Sequence, residues 1–252
     1  MVSVVQIVPT PAQGNTPRDI VTDGKYVYVS MYTGVVSRID PSTNTIDKTV
    51  AVGPNPEEMV IVNKSLYVTN SDGNNYNAGY ANGKSVSKIS LSDFVEEKKI
   101  AVGLNPTKIT ADALGNVLVL CMGDYSATPA TVWKINAEDE ATSMNIPATI
   151  MDIKDNSLYV INAPYGAPSI TYTVYNTSSG AVEKENFVSA PVDAPAGIAV
   201  HSDGRIFITS YTLVGGFASY KTPGYVSEYS SDGTFVKKYD VGVGAVSMTF
   251  LK

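Results

Sequence analysis

Cysteine, histidine and tryptophan each occur once in the 252-residue chain, and that scarcity removes several kinds of chemistry at the outset. With Cys121 alone there is no internal disulfide and no cysteine-based metal site. Cys121 ends the apolar run Val117-Leu118-Val119-Leu120-Cys121, which marks it as a small core residue rather than a nucleophile. His201 stands in the turn Val200-His201-Ser202-Asp203-Gly204-Arg205, so no histidine cluster can hold zinc or copper. No Gly-x-Ser-x-Gly elbow, P-loop or Gly-x-Gly-x-x-Gly fingerprint occurs, which leaves the nucleophilic triads and the common nucleotide sites without a scaffold. Nothing in the chain reads as a complete catalytic site, and no cofactor is expected.

Charge is also scarce. Charged residues make up 17% of the chain and the net charge is −6. The largest basic runs are the pairs Lys98-Lys99 and Lys237-Lys238, both within strand-like segments. Neutralising phosphates needs clustered Lys and Arg, so nucleic acid is excluded as a partner. No apolar run approaches the roughly 18 residues of a membrane-spanning helix. The opening Met1-Val2-Ser3-Val4-Val5-Gln6-Ile7-Val8 has no charged leader and no cleavage site, and reads as a strand rather than a signal peptide.

What the chain does have is 20 Gly, 14 Pro and 16 Tyr, with 44% hydrophobic residues. That mixture suits many short strands joined by tight turns, with amphipathic tyrosines at the surface. Internal repetition is the strongest signal. Segments beginning at Pro17, Pro56, Pro106, Pro147 and Pro195 each carry an apolar residue three places on, then a polar turn, then an alternating strand. The turns Asp23-Gly24, Asn63-Lys64, Gly115-Asn116, Asn156-Ser157 and Asp203-Gly204 are hairpin signals. Second strands are expected at residues 26–30, 66–70, 117–121, 158–162 and 206–210. Third strands are expected at 35–40, 85–90, 131–136, 171–176 and 225–230. Fourth strands are expected at 46–52, 96–102, 142–146, 182–187 and 235–241. Four antiparallel strands recurring every 39 to 50 residues are the pattern of propeller blades.

The expected fold is therefore all-β: a single β-propeller domain over residues 1–252, with five complete four-stranded blades. A partial blade is expected from the two termini, residues 4–8 and 246–251. The apolar residues three places after the repeat prolines, Ile20, Met59, Ile109, Ile150 and Ile198, are expected to pack between the innermost strands of successive blades.

The second strands also carry a family likeness. Leu66-Tyr67-Val68-Thr69-Asn70 holds the Tyr-Val-Thr-Asn signature, and Tyr159-Val160-Ile161-Asn162 and Phe207-Ile208-Thr209-Ser210 are degenerate copies. Val50-Ala51-Val52-Gly53-Pro54-Asn55-Pro56 and Ile100-Ala101-Val102-Gly103-Leu104-Asn105-Pro106 are similar to that family's inter-blade link. On these residues, which span nearly the whole chain, the sequence resembles the YVTN-repeat propellers, and among them the secreted, often lipid-anchored propellers of gut Bacteroidetes. The resemblance implies an extracellular, cell-surface or periplasmic place. Members usually have seven blades; five here mean either a small propeller closed by a reduced sixth blade or N-terminal sequence that is missing. The single Trp133 argues against the Trp-docked blades of quinone-cofactor propellers.

The variable loops between second and third strands, residues 71–84, 122–130, 163–170 and 211–224, are the longest in the chain. They are rich in Tyr, Asn and Gly and nearly free of charge. Such loops on a rigid scaffold suit binding, and tyrosine with asparagine suits a glycan or protein surface. The expected ligand-binding residues are Tyr76, Tyr80, Tyr125, Tyr165, Tyr211 and Tyr220, with Asn70 and Asp124. The same loops also read as turn-rich connections whose tyrosines pack between blades. The enzymatic alternative is a metal-dependent lactonase or related sugar-acid hydrolase, holding its ion with Asp19, Glu57, Asn70 and Asp124. Lys108, Thr149 and Gly197 stand at the matching places of other blades, so no acidic ring converges. The stretch Asn70-Ser71-Asp72-Gly73-Asn74-Asn75 lacks the ligand spacing of a calcium loop.

Overall fold

Each repeat folds into one sheet, because its alternating apolar residues must be covered on both faces while its turn residues bend the chain back at short intervals. The computed structural model describes residues 16–165 and 169–250. Among them are five four-stranded sheets, each in chain order, and one two-stranded sheet. Blade 1 is Pro17–Thr22, Val27–Met31, Val35–Asp40 and Thr45–Ala51. Blade 2 is Pro56–Val62, Ser65–Asn70, Ser85–Ser90 and Val95–Ala101. Blade 3 is Pro106–Ala111, Val117–Cys121, Thr131–Ile135 and Ala141–Pro147. Blade 4 is Ile150–Lys154, Ser157–Asn162, Thr171–Asn176 and Val182–Glu185. Blade 5 is Pro195–Val200, Ile206–Ser210, Tyr225–Tyr229 and Phe235–Asp240. The fold is all-β and of the β-propeller class. Pro147 departs from the repeat: it ends the last strand of blade 3, and blade 4 begins three residues later.

The turns use the chemistry their residues suggest. Asp23 Oδ1 accepts the Lys25 and Tyr26 N–H groups at 2.8 and 2.7 Å while Gly24 takes φ +87°, a left-handed conformation open to glycine without strain. Asp40, Asn136 and Asp232 cap the third-to-fourth-strand turns in the same way.

The chain divides into two compact units, residues 1–111 with 115–145 and residues 112–114 with 146–252. In the first, Tyr28, Val36, Met59, Leu66, Val68, Ile89 and Phe94 form the layer between blades 1 and 2. Val62, Tyr67, Val86, Ile100, Ile109, Val117, Val119 and Ile135 form the layer between blades 2 and 3. In the second unit Ile150, Ile161, Tyr172, Phe187, Ile206, Ile208 and Tyr229 do the same for blades 4 and 5. The middle strand Val117–Cys121 is buried at every position, which is why it is an unbroken apolar run rather than an alternating one. Burial pushes the Cys121 thiol up to about 12, consistent with a core residue.

Of the five residues that follow the repeat prolines, Met59, Ile109 and Ile150 are buried and Ile198 is half-buried. Ile20 is a correction to the expectation: it is 66% exposed. Met59 packs against blade 1 and Ile109 against blade 2, each on the preceding blade of its own unit, whereas blade 1 is the first blade of that unit. Ile109→Ala is accordingly expected to lower stability by about 2–5 kcal/mol. The same change at Ile20 should stay within about 0.5 kcal/mol. Urea titration of both variants checks this, and equal losses would refute the distinction.

A recurring carboxylate joins neighbouring blades within each unit. Asp19 Oδ2 accepts the Met59 N–H at 2.8 Å, Glu58 accepts the Ile109 N–H at 3.4 Å, and Asp152 Oδ2 accepts the Val200 N–H at 2.7 Å. The innermost strand of a blade has a free edge, and a carboxylate from the blade before it supplies the missing acceptor.

The expected partial blade falls largely outside the described residues. Residues 4–8 and 251 lie outside the described residues, and residues 245–250 form no strand. The Val246 carbonyl nevertheless lies against Gly197 in the innermost strand of blade 5, where a Cβ would collide with it. Phe250 sits against the His201 and Phe207 rings at 4.7 and 5.3 Å. His201 itself is a turn residue, its Nδ1 2.8 Å from Asp203.

Candidate ligand-binding loops

The repeated Gly-x-Asn-Pro link places the long loops of blades 2 and 3. Asn55 and Asn105 both take left-handed φ, +48° and +57°, a conformation asparagine tolerates better than most residues. The Asn55 carbonyl then accepts the Ser71 N–H at 3.1 Å, and the Asn105 carbonyl accepts the Met122 N–H at 2.8 Å. The Asn55 side chain donates to the Tyr32 carbonyl at 2.8 Å and accepts the Asn74 N–H at 3.0 Å. Link and second-to-third-strand loop are thus one hydrogen-bonded body on one side of each blade.

Loop 71–84 is built stiff. It contains a short 3-10 helix, Gly73–Ala78, and Asp72 Oδ2 accepts both the Asn75 side-chain amide and the Asn82 N–H at 2.9 Å. In blade 3, Asp124 Oδ1 takes the Ser126 and Thr128 N–H groups at 2.9 and 2.8 Å. Those backbone donors hold its carboxyl below the usual range.

On this frame Tyr80 and Tyr125 meet edge to face, ring centroids 6.1 Å apart. Both are left-handed, at φ +57° and +58°, which is uncommon for a bulky side chain and indicates strain held in place by the surroundings. Tyr125 is 63% exposed; desolvation of its phenol, then the nearby Tyr80, raise its pKa, while a hydrogen bond with Asn105 opposes the rise. Tyr76 is exposed on the same loop as Tyr80.

Sequence reasoning named Glu57 only as a metal ligand and passed over its Arg18 and Tyr32 neighbours. Glu57 accepts Arg18 Nε at 2.7 Å and Ser71 Oγ at 3.2 Å, and the Arg18 guanidinium lies 4.8 Å above the Tyr32 ring. Burial raises the Glu57 pKa and the Arg18 partner opposes the rise. The alternation of Tyr32 and Glu57 with core residues gave no sign that they would meet, since they come from different blades.

In the second unit Tyr211 and Tyr220 meet edge to face at 4.9 Å, with Tyr220 70% exposed. Between them the chain forms a small hairpin, Leu213–Val214 paired with Phe217–Ala218, which the sequence pattern did not reveal. Tyr165 is exposed and stands at the edge of residues 166–168, which lie outside the description.

Asn70 lies inside blade 2. It is fully buried, its carbonyl accepting the Gly53 N–H at 3.0 Å and its amide donating to Ser85 Oγ and Ser87 Oγ at 3.1 and 3.0 Å. Five other tyrosines, Tyr28, Tyr67, Tyr172, Tyr225 and Tyr229, are core residues rather than surface ones. The oxygen ligands weighed for a metal are likewise engaged: Asp19 with Met59, Glu57 with Arg18, Asn70 with Gly53, Asp124 with its own turn. Among the described residues no three His, Cys, Asp or Glu side chains gather as a metal set would.

No family model matches the sequence, and no curated protein matches it. Similarity to solved structures is extensive and distant. Hydrazine synthase from Kuenenia stuttgartiensis aligns over 98% of this chain and 71% of its own at 18% identity, with a TM-score of 0.66. A functionally unknown protein from Desulfotomaculum acetoxidans aligns over 90% of this chain and 70% of its own at 12% identity, TM-score 0.62. A chain of a mitotic checkpoint complex aligns over 89% of this chain and 63% of its own at 11% identity, TM-score 0.58. At such identities the likeness shows the propeller fold and nothing about activity.

Proposed function

We propose that residues 1–252 act as one non-catalytic binding or scaffold propeller of the YVTN-repeat type, recognising a glycan or protein through its second-to-third-strand loops. The observation that carries this reading is the Tyr80–Tyr125 pair: two strained tyrosines from neighbouring blades, on loops braced by the buried Asn55 and Asn105, with Tyr125 largely exposed. Rigid aromatics with amide neighbours give stacking area and paired donors and acceptors at little loss of side-chain freedom. Tyr76 extends this surface in the first unit, with the Asp124 turn at its margin. Tyr165, Tyr211 and Tyr220 supply the aromatic contacts of the second unit, and Asn70 serves the site by holding its link from beneath. A propeller chain within a checkpoint complex accords with a protein partner. The sequence resemblance supports an extracellular, cell-surface or periplasmic place. No helix among the described residues is long and apolar enough to cross a membrane.

A glycan array followed by calorimetry on the best-bound oligosaccharide tests the glycan reading. Tyr80→Ala with Tyr125→Ala is expected to weaken binding by at least about tenfold, as loss of aromatic hot spots does. Its melting temperature should stay close to the parent's. Unchanged affinity in the double variant would refute the assignment of this pair.

A further inference from the structure

The loop of blade 5 differs in kind from those of blades 2 and 3. Where theirs present Asn, Asp and Ser, residues 211–224 present apolar side chains at the end of a projecting hairpin. Gly215 and Gly216, both left-handed at φ +61° and +85°, make the tight turn that suits a two-residue hairpin loop. Val214 and Phe217 flank that turn and are 58% and 72% exposed, and Leu213 is exposed behind them. At the base the Tyr211–Tyr220 ring contact closes the loop. Thr212 Oγ1 donates to the Pro223 carbonyl at 2.8 Å and the Ser219 N–H donates to the Thr212 carbonyl at 2.9 Å. The tip is therefore held out by a braced base.

We propose that this hairpin is a shallow wedge for the surface of a zwitterionic lipid bilayer. Its chemistry is graded by depth: aliphatic and phenyl groups at the tip, phenols at the base, and one ammonium, Lys221, beside them. From tip to base that matches hydrocarbon, interface and phosphate as they lie from the interior of a bilayer out to the water. Residues 211–224 contain no acidic side chain, so no carboxylate is dragged toward the hydrocarbon. The net charge of −6 disfavours a strongly anionic surface, which leaves the zwitterionic one. A second copy of the chain fits less well. Strands of two residues offer no edge to extend into a shared sheet. A convex tip of three apolar side chains falls well short of the roughly 800 Å² that each partner contributes to a stable interface. The contact expected is reversible and peripheral. It shares the blade 5 loop with the loop-binding reading, but its test contains no glycan and alters neither Tyr211 nor Tyr220, so the two readings fail separately.

Flotation of the full chain with phosphatidylcholine vesicles is the direct experiment. The parent protein is expected to float with the vesicles. Val214→Asp with Phe217→Asp should reduce the vesicle-bound fraction at least tenfold with an unchanged circular dichroism spectrum. Val214→Ser with Phe217→Ser provides the same reading should the charges disturb the loop. A Phe217→Trp variant should be quenched by vesicles of bromine-labelled phosphatidylcholine. Failure of the parent to float, flotation unaffected by both double variants, or no quenching overturns the proposal. So does a dimer on size exclusion that the hairpin variants dissolve, which would make a second copy the occupant.

Discussion

Phe187→Ala is expected to lower the stability of the chain by about 3–5 kcal/mol, the range for removing a fully buried phenyl group. Phe187 is 1% exposed and lies just beyond the last strand of blade 4, where the chain crosses to blade 5. Its ring meets Tyr159 edge to face at 5.4 Å and Tyr172 at 5.8 Å. Tyr172 in turn is tied through its hydroxyl to the Val192 carbonyl at 3.2 Å. Removing the ring opens a void bounded by two tyrosines that cannot both collapse into it, so the loss should fall in the upper half of the range. Backbone on the other side is equally tight: a Cβ at Gly233 would strike the Phe187 carbonyl, so the neighbouring turn cannot move in. Urea denaturation monitored by circular dichroism measures the effect, with a fall in melting temperature of roughly 10 °C. Phe187→Leu should recover about half of the loss. A change below about 1 kcal/mol in Phe187→Ala would show that the site is not packed as described.

The second large effect is expected at Asn70. Asn70→Ala removes the acceptor for the Gly53 N–H and the donor for two serine hydroxyls from a fully buried side chain. A buried donor left without a partner costs about 1–3 kcal/mol, and the vacated volume adds to it, so a loss of about 2–4 kcal/mol is expected. Blade 5 offers the internal control, because Ser210 ends the corresponding strand and its Oγ accepts the Ala194 N–H at 3.1 Å. Asn70→Ser should therefore recover part of the stability. Gly53→Ala should be as damaging as Asn70→Ala, since the new Cβ would lie 2.5 Å from Asn70 Cγ. Thermal melts of the three variants decide the matter. Were Asn70→Ala to keep full stability and lose only ligand binding, Asn70 would be a contact residue and its placement beneath the link would be wrong.

The four-strand period, the hairpin turns and most strand limits were legible in the chain, because each depends on contacts within a few residues. An Asp-Gly or Asn-Lys pair turns the backbone wherever it stands, and alternation records which residues will be covered on a sheet. Ile20 and Ile109 show where that reasoning stops. They share the same offset from a repeat proline and the same local pattern, yet one is exposed and the other buried. The difference is the neighbour: blade 2 lies over Ile109, some fifty residues away in sequence, and within its own unit Ile20 has no preceding blade.

Tyrosine divides in the same way. Tyr28 and Tyr172 sit in core layers while Tyr80 and Tyr125 stand on the loops, and composition alone put all of them at the surface. The carboxylates divide too: Asp19 read as a metal ligand and Glu58 and Asp152 carried no signal, yet all three accept a backbone N–H from the next blade. The sequence by itself determined the all-β class, the repeat, most strand limits and which loops are long and neutral, since those follow from local backbone preference and period. Only the tertiary structure decided which tyrosines are exposed on loops and which are core, that Asn70 braces a link, and that the blade 5 loop carries an apolar hairpin. Each of those depends on which atoms from distant repeats come within a few ångströms, and no local rule contains that distance.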